Sequence, residues 1–224
     1  MRPQEAGSWS MTLYVLKPRL QAVLQPLVGR MARAGITANQ VTLTSAALSI
    51  AIGLGVAANA AQRSLFVLIP AWLLIRMALN AIDGMLAREF HQQSALGVYL
   101  NELGDGISDA ALYAPFAFVS PFSAPWVGTV IFLSLSVELA GALGPAVGGE
   151  RRYDGPMGKS DRALVFGTLA LWIGAARELP RWALWSMPIL LALLGATLVN
   201  RVSFGIQSAQ ARSAARPIQR QSTE

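Results

Sequence analysis

Acidic and amide side chains recur every three to four residues between Asn80 and Asp109, inside segments that are otherwise apolar. The stretch reads N-A-I-D-G-M-L-A-R, continues for eight residues, and then reads G-V-Y-L-N-E-L-G-D-G-I-S-D. Carboxylates at membrane depth are energetically costly, so they mark functional sites by default. Their oxygens are suitable ligands for a hard divalent cation, and the small residues between them admit a phosphate group. One carboxylate would remain to act as a base.

The spacing predicts that these side chains lie on two helix faces. Asn80 and Asp83 are three residues apart, which separates them by about 60° at the end of one helix. Asn101, Asp105 and Asp109 follow in steps of four and line one slowly turning face of the next helix. Because a short loop joins the two helices, they pack antiparallel, and their oxygens can surround one or two cations.

Small and basic residues lie beside these oxygen ligands. Gly84 and Ala87 follow Asp83 on the loop side and let a nucleotide approach the backbone closely. Arg88 can pair with a phosphate or with the acidic cluster. A purely structural alternative is that the acids pair with Arg76 or Arg88, or form hydrogen bonds between helices. The regular spacing of so many acids and amides favours the cation site.

Composition indicates an all-α, polytopic membrane protein. The chain has 224 residues, 54% of them hydrophobic and 13% charged, whereas soluble domains carry about 25% charged residues. The absence of cysteine excludes disulfides, thiolate metal sites and a cysteine nucleophile. The net charge of +6 does not predict a nucleic-acid partner, because the basic residues flank apolar spans. No cleavable signal peptide is expected, since residues 1–10 are polar, and translation could begin at Met1 or Met11.

Hydropathy predicts six transmembrane helices of about 20 residues each. The third is the least apolar, and the fifth has uncertain ends. A further segment, Tyr14–Ala34, has apolar residues at helical spacing with basic residues between them, which predicts an N-terminal amphipathic interfacial helix that Pro18 and Pro26 start or kink. The predicted spans are Val41–Ala60, Leu65–Ile82, Leu96–Phe118, Trp126–Val147, Ala163–Ala176 and Trp182–Ser203.

The distribution of lysine and arginine predicts the orientation. If both termini are cytoplasmic, 15 of the 18 basic residues lie inside, and Arg63, Arg177 and Arg181 lie outside. The polar motif then lies at the cytoplasmic end of the second and third spans. We expect a disordered tail at 1–10, a single membrane domain at 11–206 and a polar C-terminal tail at 207–224.

The motif resembles the signature of the CDP-alcohol phosphatidyltransferases, D-x2-D-G-x2-A-R-x8-G-x3-D-x3-D. Its spacing is met at every position from 80 to 105. The lead-in T-A-N-Q-V-T and the loop G-P-M-G-K-S-D-R-A also resemble family segments, and the likeness is strongest to an enterobacterial inner-membrane subgroup. It extends roughly from Met11 to Phe204. The identical signature residues are Asp83, Gly84, Ala87, Arg88, Gly97 and Asp105.

The chain departs from the signature at two positions. Asn80 and Asn101 replace the first and third aspartates, so the four acidic positions carry a charge of −2 instead of −4. Amide oxygens can bind Mg²⁺ but supply no charge, which leaves the number of cations at one or two. Asp109, one turn beyond Asp105, is expected to compensate. Glu138, in the fourth span, is a metal ligand, a partner of a cation, or a polar contact between helices.

The resemblance implies an enzyme of phospholipid synthesis in the bacterial inner membrane. Such an enzyme moves a phosphatidyl group from a CDP-alcohol, commonly CDP-diacylglycerol, to an acceptor hydroxyl and releases CMP. It implies Mg²⁺ or Mn²⁺ as cofactor, a homodimer, and Asp105 as the general base. The implied metal positions are Asn80, Asp83, Asn101 and Asp105, to which we add Asp109; the implied nucleotide positions are Gly84, Ala87, Arg88 and Gly97.

Acceptors in the family are often polyol phosphates. Lys159 and Arg162 lie in the recognisable loop and could bind such a phosphate, and Arg151 and Arg152 are weaker candidates. Alternatively, all four are the positive-inside charges of a cytoplasmic loop.

Two other functions remain open at this point. A small cation- or proton-coupled transporter also contains intramembrane acids, although inverted repeats are not evident in this sequence. A catalytically reduced family member is the second alternative, and Asn80 and Asn101 are the reason to consider it.

Overall fold

The computed structural model describes residues 11–176 and 178–215, and this part of the chain is helical throughout its regular structure. The predicted all-α class is therefore confirmed. Residues 1–10 and 216–224 of the two predicted tails, and Arg177, lie outside the described residues. The α-helices are α1 Met11–Arg33, α2 Ala38–Ala58, α3 Leu68–Glu89, α4 Ala95–Tyr113, α5 Ala124–Leu143, α6 Lys159–Ala175 and α7 Ser186–Ala215. Short 3-10 helices cover Arg63–Val67, Ala114–Phe118, Pro145–Val147 and Arg181–Trp185.

Every predicted span coincides with a helix, but two of the helices extend well beyond the predicted ends. Helix α3 continues past Ile82 to Glu89, because Met85 and Leu86 extend its buried apolar face. The segment from Asp83 to Arg88 is therefore helical and does not begin a loop. Helix α7 continues past residue 206 to Ala215, since the alanine, glutamine and arginine residues there are strong helix formers.

Four helical segments of the described chain are long and apolar enough to cross a membrane. Helix α4 falls outside this group because its 19 residues include three acids, and α6 has only 17 residues. The chain therefore has the apolar helices of a polytopic membrane protein, and the count of six spans remains a prediction. The four segments are Ala38–Ala58, Arg63–Glu89, Ala124–Val147 and Arg181–Ala214.

The described chain divides into two compact units, and three helices, α2, α3 and α4, each contribute residues to both. We call the first the signature unit; it contains the described residues up to Ser49 together with Ala71–Asp105. We call the second the C-terminal unit; it contains Ile50–Pro70 and the described residues from Gly106 onwards.

The core of the signature unit joins α1 to α3. Val28 of α1 is fully buried in one cluster with Met85 and Leu86 of α3. Leu24 and Met31, four residues before and three after Val28, pack against the same cluster, as the helical period requires. The apolar face of α1 is thus partly used inside the protein, and the interfacial role of this helix remains a prediction.

Helix α2 begins with a reciprocal cap formed by the T-A-N-Q lead-in. The Thr37 N–H donates to Gln40 Oε1 over 2.9 Å, and the Gln40 N–H donates to Thr37 Oγ1 over 3.3 Å. This capping box satisfies backbone donors that the first helical turn leaves unpaired. It therefore fixes the start of the helix that carries Thr42.

An aromatic cluster lies in the core of the C-terminal unit. Phe66 and Phe116 meet edge to face with ring centroids 5.6 Å apart, and Tyr113 stacks on Phe166 at 3.8 Å. Phe116 also contacts Phe166 at 5.0 Å. These rings join α6, the end of α4 and the 3-10 helices Arg63–Val67 and Ala114–Phe118.

Candidate active site

The first and last positions of the signature meet between α3 and α4. Asn80 Nδ2 donates to Asp105 Oδ1 over 3.3 Å. Arg76, one turn earlier on α3, donates its Nη2 to the same carboxylate oxygen over 2.9 Å and to the backbone oxygen of Asp105 over 3.1 Å. Arg76 therefore pairs with an acid of the motif, as the structural alternative expects. The signature residues Asn80 and Asp105 also meet, as the cation site expects. Asn101, half-buried, lies one turn before Asp105 on α4.

Asp83 is held by a residue of α2. Its carboxylate is buried, and Oδ2 accepts a hydrogen bond from Thr42 Oγ1 over 2.9 Å. Sequence reasoning did not assign Thr42 to the site, although it is the last residue of the T-A-N-Q-V-T lead-in. A hydrogen bond to an ionised carboxylate is stronger than a neutral one, so Thr42 helps to fix the orientation of Asp83.

The predicted nucleotide positions lie on α3 and α4. A Cβ at Gly84 would lie 3.1 Å from Arg88 Nη1, so the absence of a side chain leaves room for the exposed guanidinium. A Cβ at Gly97 would lie 2.8 Å from Asn39 Oδ1, so glycine at this position leaves room for the Asn39 side chain at the start of α2. Ala87 packs against the core of the signature unit. Their contacts with a nucleotide remain predictions.

The signature residues fit a divalent cation by the chemistry of their donors. Asp83 and Asp105 supply carboxylate oxygens, and Asn80 and Asn101 supply amide oxygens, which are the ligands that hard cations prefer. Among the described residues, no group of three His, Cys, Asp or Glu side chains is placed to hold a metal. The two asparagines explain this result, because the signature would have acids at those positions.

A separate network of ion pairs lies in the C-terminal unit. Glu138 accepts from Arg162 Nη2 over 2.9 Å and from Arg201 Nη1 over 3.2 Å. Asp109 also contacts Arg162, over 3.5 Å. Of the three roles open to Glu138, the structure shows that of an ion-pair partner of cationic side chains. Sequence reasoning counted Arg201 only as an orienting charge, although it lies inside the last apolar run.

The predicted acceptor ligands lie at the start of α6. Arg162 is buried, and its Nε and Nη1 have no hydrogen-bond partner among the described residues. It lines a small cavity with Asp109, Tyr113 and Ser134.

The other basic residues of this loop lie closer to the surface. Lys159 is half-buried, and Arg152 is paired with Asp154 over 2.8 Å. The metal role of Asp109 and the acceptor roles of Lys159 and Arg162 remain predictions.

Comparison with known proteins decides the family. The family model for CDP-alcohol phosphatidyltransferases matches residues 35–199. The chain belongs to this family. It is 47% identical over 196 residues to Inner membrane protein YnbA of Escherichia coli strain K12. The aligned region covers 85% of this chain and 94% of that protein. The membership confirms the predicted enzyme class, a phosphatidyltransferase of phospholipid synthesis, and the relative agrees with the enterobacterial inner-membrane subgroup.

Solved structures of Mycobacterium tuberculosis phosphatidylinositol phosphate synthase (PgsA1) share the fold of this phosphatidyltransferase. The complex with manganese and citrate has a TM-score of 0.67 at 20% identity and covers 82% of this chain and 88% of that chain. The structure with CDP-DAG bound has a TM-score of 0.65 at 19% identity and covers 91% of this chain and 99% of that chain.

Proposed function

We propose that this protein transfers a phosphatidyl group from CDP-diacylglycerol, or another CDP-alcohol, to an acceptor hydroxyl and releases CMP. The observation that carries the proposal is the 3.3 Å hydrogen bond between Asn80 and Asp105, because it joins the first and last signature positions on facing helices. The presence of CDP-DAG in a synthase of the same fold supports the choice of donor.

Asp105 is the proposed general base. Its carboxylate accepts the proton of the acceptor hydroxyl, whose oxygen attacks the phosphorus next to the lipid while the bond from that phosphorus to CMP breaks. Arg76 and Asn80 hold Oδ1 of Asp105 and so fix the direction of the carboxylate. Such positioning accounts for much of the barrier reduction in transfers of this kind.

Oxygen atoms of both helices would hold the cofactor, with Asp83 and Asp105 as its charged ligands. When bound, Mg²⁺ or Mn²⁺ would supply positive charge that offsets the charge of the diphosphate and of the departing CMP. The proposed ligands within the signature unit are Asn80, Asp83, Asn101 and Asp105. Manganese in the structure of the mycobacterial synthase supports a divalent ion.

The nucleotide would lie against the end of α3 and the start of α4. Gly84 and Ala87 offer little steric obstruction, and the exposed guanidinium of Arg88 is available to a phosphate oxygen. Gly97 has no side chain and leaves room at the start of α4 beside the Asn39 side chain.

The acceptor would contact the start of α6, through Lys159 and Arg162. Buried polar groups almost always have hydrogen-bond partners, so Nε and Nη1 of Arg162 require oxygens from water or from an acceptor. A polyol phosphate would supply such oxygens. This support is independent of the positive-inside reading of the loop.

We place the active site and both termini on the cytoplasmic side of the inner membrane. Residues 11–206 would act as one catalytic membrane domain, and the chain would form a homodimer, as the family resemblance implies. The excess of basic residues in the predicted cytoplasmic segments supports the orientation.

The test is CMP release by the purified protein. With Mg²⁺ or Mn²⁺, labelled CDP-diacylglycerol and a panel of polyols and polyol phosphates, at least one acceptor should give CMP and a labelled lipid product. Asp105→Asn should abolish release, and the exposed variant Gln93→Asn should retain it. No release with any acceptor would count against transferase activity, whereas an active Asp105→Asn enzyme would refute only the choice of base.

A further inference from the structure

We propose that the guanidinium of Arg76 takes the place of a second divalent cation, so that this protein binds one metal ion per chain. The inference rests on the proposed metal site and goes further, because it assigns the number of ions and the residue that limits it. Every contact that carries it lies within the signature unit.

Arg76 is a buried cation directed at a proposed metal ligand. Its side chain is 4% exposed, and Nη2 lies 2.9 Å from Oδ1 of Asp105. The same nitrogen lies 3.1 Å from the backbone oxygen of Asp105. Arginine stays protonated at any physiological pH, so this positive charge is permanent. A second metal ion that used Oδ1 of Asp105 would have to displace it.

Asn80 strengthens the same arrangement. Its Nδ2 donates to the carboxylate oxygen that Arg76 binds. An aspartate at position 80 would bring a second carboxylate to within hydrogen-bonding distance of Asp105, and the repulsion between them would call for a shared cation. The amide removes that repulsion, because it is uncharged and donates a hydrogen bond to Asp105. Arg76 and Asn80 therefore satisfy Asp105 without a metal ion on this side of the site.

The local charge agrees with a single ion. Asp83 and Asp105 are the acids at signature positions, and Arg76 cancels one of them, which leaves a net charge of −1. One divalent ion brings this charge to +1, whereas two would bring it to +3. An uncompensated charge in a partly buried site is strongly unfavourable. Asp109 does not alter this balance, because Arg162 pairs with it in the C-terminal unit.

The experiment counts bound Mn²⁺ by electron paramagnetic resonance during a titration of the purified, metal-free protein. We expect one ion per chain in the wild type and in Asn80→Asp/Asn101→Asp, which keeps Arg76. We expect two ions in the triple variant Arg76→Met/Asn80→Asp/Asn101→Asp. The matched control is Arg30→Met, an exposed arginine of α1, which should keep the wild-type count.

Each result has a definite meaning. Two tightly bound ions in the wild type, or in the double variant that keeps Arg76, would overturn the inference and leave the proposed transferase untouched. No bound ion in the wild type would overturn both this inference and the proposed metal site. One ion in a folded triple variant would also overturn the inference, because Arg76 would then not be the residue that limits the count. If circular dichroism shows that the triple variant fails to fold, two ions in the wild type or in the double variant can still refute the inference.

Discussion

The chemistry available to the two acids at signature positions depends on the side chains that donate to them. Asp105 receives a guanidinium from Arg76, whereas Asp83 receives a hydroxyl from Thr42. The guanidinium carries a positive charge, and the hydroxyl does not. Asp105 as the base and Asp83 as a charged ligand of the cation remain the proposed roles.

Glu138 provides a residue-level prediction in the C-terminal unit. Glu138→Gln removes the charge that compensates two buried arginines, Arg162 and Arg201. Breaking a buried ion pair by removing one partner costs about 3 kcal/mol or more, so the apparent melting temperature in detergent should fall by roughly 6 °C or more. The matched control is Glu150→Gln.

The control removes an acid of the same type from an exposed pair with Arg212. Exposed ion pairs contribute about 1 kcal/mol or less, so its melting temperature should stay within a few degrees of wild type. Equal shifts in the two variants would contradict the assignment of Glu138 as the centre of a buried network.

At the scale of elements, α2 and α4 lie so close together at one point that no side chain fits between their backbones. A Cβ on Gly53 of α2 would lie 2.2 Å from the backbone oxygen of Ala111 in α4, whereas a Cβ on Gly55 would meet no atom within 4 Å. These contacts lie within the C-terminal unit. The two glycines lie two residues apart in the same helix, but only Gly53 faces the backbone of a neighbouring helix.

This pair of glycines yields a prediction with an internal control. Gly55→Ala should raise stability by up to about 1 kcal/mol, because alanine is the better helix former. Gly53→Ala should lower stability by about 1–3 kcal/mol, since a backbone atom must move to admit the methyl group. Thermal unfolding in detergent measures both changes. If Gly53→Ala were as stable as Gly55→Ala, the close helix crossing would be wrong.

The elements themselves were largely predictable from sequence, and their ends were not. Hydropathy located a helix for every predicted span because burial in lipid or protein requires long apolar runs. It placed the end of α3 at Ile82, because Asp83 and Gly84 interrupt the apolar run there. The helix continues because Met85 and Leu86 bury against α1 and α2, which hydropathy along one segment does not register.

At the scale of the whole molecule, the predicted orientation can be tested without background labelling because the chain has no cysteine. Gln62 and Gln93 are exposed residues that flank α3 at opposite ends. Gln93→Cys should react with a membrane-impermeant maleimide only in inside-out vesicles, and Gln62→Cys only in intact spheroplasts. The reverse pattern would place the active site outside, and reaction of both variants in spheroplasts would show that α3 does not span the membrane.

The sequence by itself determined the all-helical membrane class, the register of the signature and the family, because apolar runs and residue spacing are local properties of the chain. It listed the ionisable residues of the site without their partners. Only the tertiary structure decided that Arg76 binds Asp105, that Thr42 binds Asp83, and that Glu138 joins Arg162 to Arg201. These partners are separated by 24 to 63 residues along the chain, so helix packing, and not local pattern, brings them together.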